Sequence, residues 1–114
     1  MLEDDQARPS SQDIVQMEGH ANDAAHLLKY LAHESRLMIL CLLWERELTV
    51  GEINERVQLS QSALSQHLAL LREKKLVSCR RQSQNIFYKL ADPKALRILA
   101  TLHELYCREG GMKP

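Results

Sequence analysis

Cysteine and histidine supply the most versatile chemistry in this 114-residue chain: three cysteines (Cys41, Cys79, Cys107) and five histidines (His20, His26, His33, His67, His103). A thiolate can attack sulfur or bind a soft metal, and an imidazole can bind metal or move a proton. The histidines show no ligand spacing, and the cysteines are not clustered as a thiolate metal site requires. Cys41 and Cys107 stand 66 positions apart. Spacing alone favours two inert core residues, because free cysteine is among the most buried residue types and Cys41 lies inside an apolar run. Cys79 has no evident partner and reads as structural or as an incidental thiol. There is no Gly-rich phosphate loop, no Ser/His/Asp set in a credible context and no paired-carboxylate signal, so an enzyme is not expected.

A second group of residues suits nucleic acid. Ser60, Gln61, Ser62, Ser65 and Gln66 fall on one face of a stretch whose other face is Leu64, Leu68 and Leu71, spaced i, i+4, i+7. Gln can pair with adenine, Ser can serve bases or phosphates, and small side chains let a helix approach the floor of a major groove about 12 Å wide. A surface helix more often carries Glu/Lys pairs, yet this face has no charge from Gln61 until Arg72. The whole chain has zero net charge, but residues 60–90 hold six bases (Arg72, Lys74, Lys75, Arg80, Arg81, Lys89) against one acid (Glu73), a net +5, while residues 1–19 carry −4. A basic segment is either a solvated face or a phosphate footprint. Beside the Ser/Gln face it points to DNA. Arg80 and Arg81 could reach phosphates or the minor groove, with Gln84 near the tip of the same hairpin. His67, beside the leucine face, reads as packed or phosphate-facing.

These residues need elements to position them. Aromatic residues are only 4% of the chain and the apolar content is largely Leu, Ala, Ile and Val, which favours helices. Residues 1–19 read as a mobile acidic tail gaining helix towards its end. A first helix is expected over 20–33, then one capped by Ser35 and running to about Glu45. This second helix is apolar all round from Leu37 to Trp44 and so should be central and covered on most sides. Thr49 and Glu52 fit a capping box for a short third helix, with Ile53 and Val57 inward. Gln58-Leu59 turns, and Ser60 caps a fourth helix from Gln61 to about Lys75. Alternation over Leu76–Leu90 about Gln82-Ser83-Gln84-Asn85 gives a β-hairpin. Asp92-Pro93 starts a final helix to about Glu109, ended by Gly110-Gly111, with 110–114 as a C-terminal tail. The fold class is mainly α with a small hairpin: a winged helix-turn-helix, α-α-α-α-β-β-α, forming one domain over 20–109. No apolar run approaches the roughly 20 residues of a membrane span, and the acidic start is no secretory signal. The chain is expected in the cytoplasm, without membrane partners, where structural disulfides are rare.

Ser60-Gln61-Ser62-Ala63-Leu64-Ser65-Gln66-His67-Leu68-Ala69-Leu70-Leu71-Arg72 resembles the recognition helix of ArsR/SmtB-type repressors. Leu31-Ala32-His33-Glu34-Ser35-Arg36-Leu37-Met38-Ile39-Leu40 is similar to that family's entry into its second helix, and Ile86-Phe87-Tyr88-Lys89-Leu90 to its wing return. The resemblance covers about residues 21–108. It implies a homodimer with the first and last helices at the interface, reading two-fold operator DNA. Family members often have Gly at the wing tip, where this chain has Ser83. The family's metal sites are not completed. The stretch Glu47–Glu52 lacks the cysteines of one type, and Asp92 with His103-Glu104 does not give the spacing of the other. Neither metal nor cofactor is therefore expected. Cys41 and Cys107 resemble the dithiol of the BigR/SqrR/HlyU-type subgroup, with one cysteine on the second helix and one near the end of the last. That likeness implies a redox-sensing pair, with reactive sulfur species or other oxidants as inducer; in the sequence Arg108 directly follows Cys107. The alternatives are a metal-sensing repressor of the same family and a winged-helix protein-interaction module.

Overall fold

The computed structural model describes residues 8–107. The acidic residues Glu3–Asp5, Arg108, the Gly110-Gly111 stop and the 110–114 tail lie outside the described residues. The chain divides into two units between Tyr30 and Leu31.

The first unit contains most of α1 (Ser11–Leu31). This helix starts well before residue 20, within the stretch expected to be a tail. The reason is local. Ser10 donates its N–H to Asp13 Oδ2 (2.9 Å), and Ser10 Oγ accepts from the Asp13 N–H (3.1 Å), so two otherwise orphaned donors are satisfied. The backbone hydrogen bond from Ser10, then the one from its side chain, holds the Asp13 carboxyl below the ordinary carboxylate range. Ile14, Val15, Met17 and Leu28 are exposed along α1.

The second unit runs α2 (Glu34–Glu45), β1 (Leu48–Thr49), α3 (Val50–Arg56), α4 (Gln61–Glu73), β2 (Val77–Gln82), β3 (Asn85–Leu90) and α5 (Pro93–Tyr106). The expected order of helices and hairpin is present, with one addition. β1 pairs antiparallel with β3, giving a three-stranded sheet in the order β1-β3-β2. A two-residue strand merging into the capping box at Thr49 has too little length to show alternation. The box itself forms, with Thr49 Oγ1 accepting from the Glu52 N–H and Glu52 Oε1 from the Thr49 N–H.

The core gathers residues from every element of this unit except β3: Ile39, Leu40 and Leu43 of α2, Leu48, Ile53, the α4 row Leu64, Leu68 and Leu71, then Leu76, Val77, Ala95 and Leu99. No polar or charged residue is buried among the described residues. Two details of α2 differ from expectation. Its N-cap is His33 rather than Ser35: His33 Nδ1 accepts from the Ser35 N–H at 3.1 Å. An imidazole acceptor one residue before the helix fills the place expected for the hydroxyl. Its apolar surface is covered on most sides but leaves one strip open, where Met38 and Cys41, one turn apart, are exposed.

Candidate nucleic-acid interface and thiol pair

α4 is held by both ends and by its buried row. Ser60 Oγ accepts from the Ala63 N–H (3.1 Å), leaving the hydroxyl hydrogen available as a donor at the helix start. Before it, Asn54 Nδ2 donates to the Leu59 carbonyl (3.0 Å), bracing the turn from α3. After it, the Lys75 N–H donates to Arg72 O and the Leu76 N–H to Leu71 O (both 2.9 Å), which is a Schellman stop. Lys75 takes φ 64° there, a position that glycine ordinarily fills. With Leu64, Leu68 and Leu71 turned inward, Gln61, Ser62, Ser65, Gln66 and Arg72 are left exposed. The four uncharged polar side chains have no hydrogen-bond partner among the described residues.

His67 does not join that face. Its ring packs edge-on against His33 at 4.7 Å between centroids, at the seam between α4 and the start of α2. Burial, then the nearby His33 and Arg36, lowers its pKa below the usual 6.5. The ring thus packs on His33 while remaining half-buried.

The hairpin follows α4 and is closed by the Ala91 N–H donating to Leu76 O (2.9 Å). Its turn is the two residues Ser83-Gln84, with Gln82 opposite Asn85 and Ser83 at φ 59°. Such a position favours glycine, so serine carries local strain. Gln84 and Arg81 are exposed, and Arg81 has no ion-pair partner among the described residues. Arg80 is different. Its Nε donates to Glu47 Oε1 (2.8 Å), a terminal guanidinium nitrogen donates to Gln82 Oε1 (2.7 Å), and the guanidinium carbon lies 4.8 Å from the centre of the Phe87 ring. The sequence showed Arg80 as one of a basic pair. It gave no sign of Glu47, which is 33 residues away.

The two thiols expected to pair lie on helices that pack together, α2 and α5. Trp44 and His103 meet edge to face at 5.6 Å. Cys41 precedes Trp44 by three residues and Cys107 follows His103 by four, so each cysteine shares a face with one of these rings. Both thiols are exposed and free, contrary to the core role that spacing alone favours. Partial burial, then the charge of Cys107, raises the Cys41 pKa above its usual 9.0. Cys107 caps the end of α5, its N–H donating to His103 O (2.8 Å). Cys79 is half-buried on β2. Among the described residues no three His, Cys, Asp or Glu side chains come together, and Asp92 is engaged in capping α5. No helix among the described residues is long and apolar enough to cross a membrane.

Residues 33–78 match the description "Bacterial regulatory protein, arsR family". The chain is 47% identical over 96 residues to the transcriptional activator HlyU of Vibrio cholerae, covering 84% of this chain and 89% of that protein. The chain belongs to the ArsR family. The biofilm growth-associated repressor of Agrobacterium fabrum is 44% identical over 91 residues, covering 80% of this chain and 78% of that one. The crystal structure of the transcriptional repressor BigR from Xylella fastidiosa superposes with a TM-score of 0.77 at 42% identity, covering 81% of this chain and 94% of that one. This ArsR-family chain is thus a winged helix-turn-helix transcriptional regulator that binds DNA, not an enzyme.

Proposed function

We propose that the chain is a sequence-specific repressor that binds a two-fold operator as a homodimer, and that its operator affinity is switched by Cys41 and Cys107. The uncharged, exposed N-terminal face of α4 supports base reading by Gln61, Ser62, Ser65 and Gln66, with Ser60, Arg72, Arg81 and Gln84 available for phosphate or groove contacts. Exposed apolar residues on the terminal helices, among them Leu96, Leu105 and Tyr106 of α5, suit a self-complementary interface. Repression is favoured over activation because two of the three relatives described above are repressors.

One observation carries the switch: two exposed thiols stand on helices that pack against each other. In the first step one cysteine thiolate attacks the outer sulfur of an organic persulfide, such as glutathione persulfide, and releases glutathione. The other cysteine then attacks the sulfur bonded to the first cysteine, forming a disulfide and expelling hydrogen sulfide. If a second persulfide first lengthens the chain, the bridge is a trisulfide and the products are two glutathiones and one hydrogen sulfide. In either case the cysteines are oxidised and the persulfide sulfur is reduced. A direct disulfide needs Cα atoms about 4.4–6.8 Å apart, and a polysulfide spans more. The bridge would bias the α2–α5 packing beneath α4 and weaken DNA binding.

Operator fragments selected from random DNA provide the test. Reduced protein should bind them with an affinity that falls steeply with salt, as counterion release requires. Persulfide should release wild-type protein but neither Cys41→Ser nor Cys107→Ser. Release of both variants would reject the pair as the switch. Salt-insensitive binding, or none, would favour a protein-interaction module.

A further inference from the structure

We propose that Arg80 is a wing-positioning residue that acts on DNA binding through the wing's orientation and contacts no phosphate itself. This rests on DNA being read by α4 and the wing. A single guanidinium joins three places in the chain: Glu47 between α2 and β1, Gln82 at the end of β2, and the Phe87 ring on β3. Strand pairing explains why they meet. Arg80 lies directly opposite Phe87, which in turn lies opposite Thr49 of β1, so all three residues fall on the same face of the sheet. Gln82, two residues from Arg80, shares that face. Arg81 points the other way and has no ion-pair partner among the described residues.

The chemistry suits a clamp better than a phosphate contact. Guanidinium offers a planar fork of donors and a face that stacks on an aromatic ring, and Arg80 uses both. Its side chain is 49% exposed and that of Glu47 is 35% exposed, so the pair adds little to global stability. The clamp's effect is therefore local. It ties the wing strands to the segment entering α3, and α3 braces α4. A phosphate that took the guanidinium fork at Nε would have to displace Glu47, and one that spared the clamp would reach only the terminal N–H groups that Glu47 and Gln82 leave open.

Operator affinity measured across a salt series distinguishes clamp from contact. A clamp predicts that Arg80→Lys, which keeps the charge but not the fork, weakens binding about as much as Arg80→Ala, on the order of tenfold. It predicts an unchanged slope of log affinity against log salt for both, whereas Arg81→Ala lowers that slope by about one. It also predicts that Glu47→Ala weakens binding although it removes a negative charge, and that this loss vanishes in an Arg80→Ala background. A phosphate contact predicts the opposite. Arg80→Lys would bind like wild type, Arg80→Ala would lower the slope by about one, and Glu47→Ala would bind more tightly. Any of these three results overturns the proposal, as does Arg80→Ala binding like wild type. Failure of wild-type protein to bind DNA in a salt-dependent way would instead reject the DNA-binding reading beneath it.

Discussion

α4 and the wing are both suited to DNA, but their polar groups are held differently. On α4 the fixed part is the backbone. Two caps and a buried leucine row hold it, while Gln61, Ser62, Ser65 and Gln66 have no partners within the described chain. In the wing a side chain supplies part of the fixing, because Arg80 is occupied by Glu47, Gln82 and Phe87. Polar groups without partners can exchange water for base edges with little rearrangement, whereas a side chain already held by several partners is less free to reorient towards DNA. A basic residue in a DNA-binding segment is thus not automatically a DNA contact.

The largest effect that would break this contrast lies beneath α4. Leu68 is 1% exposed, and Leu68→Ala should destabilise the fold by about 2–5 kcal/mol in denaturant titration. A loss below about 1 kcal/mol would mean that the leucine row is not what anchors the helix. Next comes its opposite face. Gln66→Ala should cost about 1–3 kcal/mol of operator binding while leaving the thermal midpoint within a degree or two of wild type. Equal losses in affinity and stability would instead make Gln66 structural.

Smaller effects sharpen the comparison at the ends of the two elements. Lys75 at the exit of α4 and Ser83 at the wing tip both hold positive φ. Lys75→Gly and Ser83→Gly should each raise stability by up to about 1 kcal/mol, the relief of left-handed strain being offset in part by a more flexible unfolded chain. The smallest effect belongs to His67. Because its pKa is lowered in the fold, its contribution to stability is present above the ordinary histidine pKa and is lost as pH falls below it. The melting temperature should therefore fall less between about pH 7.5 and 5.5 in His67→Gln than in wild type. Identical pH profiles would remove His67 from the account.

Much of this was legible in the sequence, for definable reasons. The α4 faces could be read because helical spacing alone separates Leu64, Leu68 and Leu71 from the Ser/Gln set. The caps at Thr49, Ser60 and Asp92 are local signals within three residues. What escaped depends on contacts across the fold. β1 exists only through its pairing with β3, Arg80 finds Glu47 across 33 residues, and His67 turns to His33. Cys41 shows the limit most clearly. An unbroken apolar run suggested a covered helix, and only the packed structure reveals the open side on which this thiol lies.

The most direct test is to treat reduced protein with glutathione persulfide and, separately, with hydrogen peroxide, then map the cysteine-containing peptides by mass spectrometry. The account predicts a Cys41–Cys107 cross-link after persulfide, with extra sulfur atoms if the gap is too wide for a disulfide, formed together with release of DNA. Absence of any cross-link between these two residues would contradict it and leave the chain a DNA-binding regulator whose signal lies elsewhere.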